Sequence, residues 1–139
     1  MPGLKDWIAK ASADLRGATK LIKDDDYTLD LAVYHTHQVA EKALKAYLVF
    51  KQQPILRTHD LEKLLNECKK YDHGFDQLQE EVETLAPFAI YSRYPDDRFS
   101  VDREETIQAI KHAEKILKFV KEKTVSTEKS PQTKIFSNE

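Results

Sequence analysis

Five polar side chains with chemically useful groups lie within one helix-forming stretch at residues 31–50: His35, His37, Gln38, Glu41 and Lys42. Imidazole, carboxylate and ammonium groups can transfer protons, bind metal ions or hold anions. On an α-helix, His35 and His37 point about 200° apart, so they cannot share a metal ion. The sequence also lacks the paired Glu-x-x-His motifs of carboxylate-bridged metal bundles. We therefore expect neither a metal site nor metal-dependent catalysis.

Angular spacing divides these polar side chains between two faces of the helix. At about 100° per residue, three of them share a stripe with two apolar residues: Leu31, His35, Gln38, Lys42 and Val49. His37 and Glu41, four residues apart, form a separate pair on the flank of this stripe. The broad apolar arc faces the other way, so we expect none of these polar residues in the core. Because mixed polarity is typical of a contact surface, the stripe predicts a homodimer.

The elements that position these groups are helices. Apolar residues recur three and four apart in five segments, at about residues 4–22, 28–52, 60–74, 75–89 and 103–123. Pro54 ends the second helix, Gly74 is expected to end the third, and Asp102 with Glu105 has the spacing of a capping box for the last. The pattern predicts an all-α fold, an up-and-down antiparallel four-helix bundle with an additional short helix.

Length, composition and charge limit the class of protein. The 139 residues predict one bundle over residues 1–123, followed by a flexible polar C-terminal tail over residues 124–139. No apolar run approaches the roughly 20 residues that cross a bilayer, and the first residues lack the apolar segment of a signal peptide. We therefore expect a soluble, cytoplasmic protein with no membrane partner. With a net charge of −2, an anionic ligand has to be held by a local patch.

Three motifs occur in a defined order: YHTHQVAEKALKAYL at residues 34–48, THDL at residues 58–61 and SRYPDD at residues 92–97. Together they resemble the HEPN domain family, the "higher eukaryotes and prokaryotes nucleotide-binding" domain. The segment WIAKASADLRGA is also similar to the first helix of that family, and the resemblance covers residues 4 to about 123. It implies an up-and-down helical bundle, usually a homodimer. Family members are often encoded beside a minimal nucleotidyltransferase, and the pair commonly acts as a toxin–antitoxin or nucleotidyl-transfer system.

The resemblance also implies which residues form a ligand site. The matching positions are His35, Gln38, Glu41 and Lys42 on the helix, and Arg93, Tyr94, Pro95 and Asp96 in the loop. Arg93 can grip a phosphate with its planar guanidinium, Lys42 adds a point charge, and Tyr94 can stack on a base. A structural alternative stays open, in which Arg93 pairs with Glu41 or another carboxylate and holds the loop against the helix. We expect a nucleotide or another anionic small ligand, no cofactor and no catalytic residue.

Ribonuclease members of the family carry an arginine followed, after four to six residues, by a histidine. This sequence lacks that spacing, since Arg57 and His59 are too close and Arg103 and His112 are too far apart. The favoured function is therefore a non-catalytic nucleotide- or substrate-binding subunit that acts with a separate minimal nucleotidyltransferase, as in a toxin–antitoxin pair. One alternative is a metal-independent endoribonuclease toxin, acting on RNA through a non-standard site built from His35 and Arg93. Another is a dimeric bundle whose second face makes only protein contacts.

Overall fold

The computed structural model describes residues 2–91 and 100–135, with side chains up to residue 124. Five α-helices follow one another along the chain: α1 (Leu4–Ile22), α2 (Leu29–Phe50), α3 (Leu61–Lys69), α4 (Gln79–Leu85) and α5 (Arg103–Ile135). Short 3-10 segments precede α2 and flank α4 on both sides, at Asp26–Thr28, His73–Leu78 and Ala86–Ile90. The described residues form no strand, and the all-α helical bundle predicted from the sequence is confirmed.

Side-chain caps explain where two of the helices begin. Asp60 precedes α3, and its carboxylate accepts hydrogen bonds from the backbone N–H groups of the first turn. Asp102 and Glu105 form the predicted capping box of α5, since each carboxylate accepts a hydrogen bond from the other residue's backbone N–H. Both starts follow from acidic residues that are visible in the sequence.

The ends of the helices differ more from the sequence-based prediction than their starts do. Gly74 does not end α3, which stops at Lys69; instead Gly74 lies in a 3-10 segment and donates its N–H to Asp72. No glycine in the described residues has a positive φ, so Gly74 does not serve as a left-handed helix stop. At the other end of the chain, α5 continues to Ile135, further than the periodic spacing indicated. Thr124, assigned above to the tail, is buried, whereas the division of the chain at residue 123 stays a prediction.

Helix α2 lies at the centre of the bundle, in contact with α1, α3, α4 and α5. The core holds an aromatic cluster, in which Phe75 lies 4.5 Å from Tyr47 and 4.9 Å from Phe119 between ring centroids. None of the helices in the described part of the chain is long and apolar enough to cross a membrane. Because α2 is surrounded, only a narrow part of it can bind anything outside the bundle.

Candidate functional site

Most of the residues of α2 that are not buried belong to the stripe predicted from the sequence. Fourteen of the 22 residues of α2 are buried. All five stripe residues are half-buried or exposed: Leu31, His35, Gln38, Lys42 and Val49. Leu31 is the most open apolar member, with 40% of its surface exposed. The structure therefore brings the three polar stripe residues together on one accessible face, as their spacing indicated.

Asp14 of α1 holds two members of this stripe. One carboxylate oxygen lies 2.8 Å from Nδ1 of His35, and the other accepts a hydrogen bond from Nζ of Lys42 at 2.6 Å. The Asp14 side chain keeps only 13% of its surface exposed, against 29% for His35 and 24% for Lys42. The basic groups of the stripe are thus oriented and largely balanced by an anion of the chain itself.

Gln38 lies between these two residues on the helix and is half-buried. Its side-chain amide nitrogen is 3.4 Å from Nδ1 of His37, which is a long contact for a hydrogen bond. Gln38 therefore has polar capacity left to contact a partner or ligand on the exposed side of α2.

His37 and Glu41 are core residues, so the expectation that the polar residues of α2 avoid the core is wrong for this pair. Their exposed fractions are 1% and 4%. The reason is a second layer that helical periodicity does not reveal, because the loop before α3 brings His59 over this flank of α2. Nδ1 of His59 lies 3.0 and 3.1 Å from the two Glu41 oxygens, and Nζ of Lys45 donates to Glu41 at 2.9 Å.

Two basic neighbours keep the Glu41 carboxylate ionised. Burial by itself would raise the pKa of this carboxyl, but hydrogen bonds from Lys45 and His59, with the attraction of their charges, outweigh burial and hold the pKa below its ordinary value. Lys45 is itself buried, with 7% of its surface exposed, and its ammonium lies 5.8 Å from the centre of the Trp7 ring on α1. Glu41 thus ties α2 to the loop before α3.

Three residues of these networks were missed as site residues: Asp14, Lys45 and His59. The four-residue spacing of Glu41 and Lys45 could have indicated an ion pair within one helix turn. The pairing of Asp14 with Lys42 spans 28 positions, and no local pattern predicts it. His59 belongs to the THDL motif, which supported the family resemblance without indicating a contact.

The loop half of the predicted site, Arg93, Tyr94 and Asp96, lies outside the described residues. The alternative pairing of Arg93 with Glu41 therefore stays a prediction, although the carboxylate of Glu41 already binds Lys45 and His59. Within residues 2–91 and 100–135, no group of three or more His, Cys, Asp or Glu side chains is placed to hold a metal ion.

Comparison with known proteins matches the chain to the family model described as "HEPN domain" over residues 4–123. A curated relative, "Putative toxin MJ1304" of Methanocaldococcus jannaschii, is 29% identical over 131 residues, and the match covers 84% of this chain and 84% of the relative.

Two solved structures have the same fold. The crystal structure of TT1696 from Thermus thermophilus is 31% identical, covers 88% of this chain and 99% of its own, and superposes with a TM-score of 0.77. The crystal structure of ST0689, described as an archaeal HEPN homologue, is 27% identical, covers 89% of this chain and 99% of its own, and has a TM-score of 0.70.

Proposed function

The chain belongs to the HEPN domain family, and from this premise we propose that it is a non-catalytic binding subunit that acts with a separate minimal nucleotidyltransferase. The two proteins would form a toxin–antitoxin pair, in line with the toxin named among its relatives. The subunit would present the α2 stripe to a second copy of the chain and the SRYPDD loop to a nucleotide or another anionic ligand.

One observation carries this proposal, namely that Asp14 already binds both basic residues of the stripe. A surface built to hold phosphate alone would leave Lys42 without an internal counter-ion. Here Lys42 and Asp14 cancel in charge, so the stripe offers hydrogen-bonding groups beside the exposed Leu31. Apolar surface with satisfied polar groups around it is the composition of a protein–protein interface.

The ligand part of the proposal depends on Arg93, Tyr94 and Asp96, whose roles are implied by the family resemblance. Arg93→Ala removes a guanidinium from a chain with a net charge of −2, where attraction for an anion has to be local. We expect adenosine triphosphate to bind about 10- to 150-fold more weakly to this variant, the loss typical of a charge-assisted contact. An unchanged affinity together with a lower melting temperature would show that Arg93 is only structural.

Coexpression tests the partnership. The small nucleotidyltransferase whose reading frame adjoins that of this chain should elute with it from a size-exclusion column as one complex. Arg93→Ala should weaken the complex, whereas Lys63→Ala, which replaces an exposed lysine of α3, should not. If no such reading frame adjoins this one, or if the two proteins elute separately, the partnership is refuted.

A ribonuclease remains the second candidate because Asp14 is close enough to orient the ring of His35, at 2.8 Å. A carboxylate that fixes an imidazole leaves the other ring nitrogen available for proton transfer to or from a phosphodiester. Under this alternative, the purified chain cleaves RNA in the presence of a metal chelator, and His35→Ala abolishes the cleavage. Intact RNA after long incubation with the wild-type chain would leave the binding subunit as the function.

A further inference from the structure

We propose that the chain has a second ligand site, which takes a small phosphate monoester attached to a flat ring. The site is the open groove between the start of α1, the later turns of α2 and the loop before α3, and we call it the α1–loop groove. Its volume is about 590 Å³, within the range of small-molecule sites. Its lining includes Trp7, Lys45, Arg57 and His59. The groove shares no residue with the α2 stripe, and the proposal does not depend on a nucleotidyltransferase partner.

Positive charge is the first property of the groove. Arg57 is exposed there and makes no ion pair or hydrogen bond with any residue that the structure describes. Lys45 lines the same groove, and the charge of its ammonium is matched by that of Glu41. Arg57, Lys45 and Glu41 together therefore carry a net charge of +1, without the contribution of His59. An incoming phosphate would meet the planar fork of Arg57, which can form two parallel hydrogen bonds to its oxygens.

His59 supplies a second, oriented hydrogen-bonding group. Its Nδ1 contacts both oxygens of the ionised Glu41, so this nitrogen carries the proton and donates it. The other nitrogen, Nε2, lies on the opposite edge of the ring, and the side chain is 71% exposed. Nε2 of His59 can thus face a ligand while Nδ1 keeps its contact to Glu41.

Glu41 does not prevent an anion from binding. Its side chain is only 5% exposed, and both of its oxygens are held by cationic or proton-donating groups. A buried carboxylate compensated in this way orients Lys45 and His59 while adding little repulsion at the groove.

Trp7 gives the groove its preference for a ring. The indole lines the groove beside Lys45, and it offers a broad apolar surface for stacking. A ligand that carries a flat ring beside its phosphate therefore suits the groove better than inorganic phosphate does, because the ring can stack on the indole.

Calorimetric titration of the full chain, with no partner present, tests the site. Three probes separate the two halves of the ligand: ribose 5-phosphate, adenosine and adenosine 5′-monophosphate. We expect adenosine 5′-monophosphate to bind most tightly and ribose 5-phosphate more weakly, because the sugar phosphate cannot stack. Adenosine should bind most weakly, because it lacks the phosphate.

The exposed arginines of the chain offer a matched pair of variants. Arg57→Ala should weaken binding of adenosine 5′-monophosphate by about tenfold or more. Arg57→Lys should recover only part of it, because the charge returns without the planar fork. Arg16→Ala removes the same charge from an exposed position of α1 that does not line the groove, and it should leave the affinity unchanged.

Three results would overturn this site: equal affinity of Arg57→Ala and the wild type, equal losses in Arg57→Ala and Arg16→Ala, or binding of single-stranded RNA but of none of the small phosphates. Because these titrations use the chain alone, their failure leaves the nucleotidyltransferase partnership untouched, and failure of that partnership leaves these titrations untouched.

Discussion

Asp14 and Glu41 each bind two basic side chains and link α2 to another part of the bundle, but they differ in their access to water. Asp14 holds half-buried partners at the edge of α2, whereas Glu41 shares its buried surroundings with Lys45. An ion pair near solvent contributes little to stability, while removal of one partner from a buried pair leaves an uncompensated charge. Glu41 is therefore the carboxylate whose loss should damage the fold.

We expect Glu41→Gln to lower the free energy of unfolding by about 2–3 kcal/mol at pH 7, because Lys45 keeps its charge and loses its counter-ion. Urea denaturation measures this difference. Glu80→Gln, at an exposed position of α4, should change the same free energy by less than about 0.5 kcal/mol. Equal stability of Glu41→Gln and the wild type would mean that Glu41 contributes nothing to the fold.

The stability difference between the wild type and Glu41→Gln should depend on pH. The folded-state pKa of Glu41 is held below its ordinary value of 4.5, so its contribution is fully present above that pH. It is lost as the pH falls below about 4.5 and through the folded pKa, where the carboxylate becomes protonated. The stability gap between the wild type and Glu41→Gln should therefore narrow on acidification from about pH 6 to about pH 3. A gap that widened would contradict the direction of the shift.

For single residues, the sequence predicted the helix face on which a side chain lies, but it did not predict the residue that the side chain contacts. The stripe on α2 follows from helical geometry alone, and the structure places its members at the surface. The burial of Glu41 depends on His59, which lies 18 positions away in a loop. A pairing of that kind is decided by the packing of two elements, and the local spacing of one helix contains no information about it.

At the scale of the helices, starts were easier to predict than ends. Asp60 and Asp102 mark the first turns of α3 and α5, because an N-terminal cap is a local hydrogen bond between neighbours. The end of a helix has no equally strict side-chain requirement. Gly74 consequently looked like a stop but lies in a 3-10 segment.

Loss of the α5 cap should be measurable. Asp102→Ala removes the acceptor of the Glu105 N–H, at 2.7 Å, and should cost about 1 kcal/mol of the free energy of unfolding. Glu104→Ala removes a negative charge from the same turn without touching the cap, so its cost should be only a few tenths of a kcal/mol. Chemical denaturation of both variants provides the comparison, and equal losses would show that charge alone stabilises this helix start.

Truncation tests how much of α5 the bundle needs. Deletion of residues 125–139 should lower the melting temperature by less than about 3 °C, because that segment has no apolar spacing with which to dock. Deletion of residues 124–139 should cost more, since Thr124 is buried and its hydroxyl donates to the carbonyl of Val120. A large loss from the shorter deletion would assign the last turns of the helix to the bundle.

For the molecule as a whole, the position of α2 limits what the protein can do. The helix contacts every other α-helix, so a change on its buried face alters the entire core. Among the described residues, the stripe and the α1–loop groove are two places where side chains of α2 lie at the surface or line a groove. The all-α bundle was predictable because periodicity recurs in every segment, whereas the groove arises only when three elements meet.

We expect two copies of the chain to associate through the stripe in solution. Light scattering at micromolar concentration should therefore give twice the monomer mass of 16.1 kDa. Leu31→Asp places a charge at the most exposed apolar member of the stripe and should shift the protein towards the monomer, since an unpaired charge buried in an interface opposes association. Tyr71→Asp is the matched control, because Tyr71 follows α3, lies outside the stripe and has the same 40% exposure as Leu31. The stripe is the dimer interface only if the first variant dissociates and the second does not, and a wild-type mass of one chain would refute the dimer altogether.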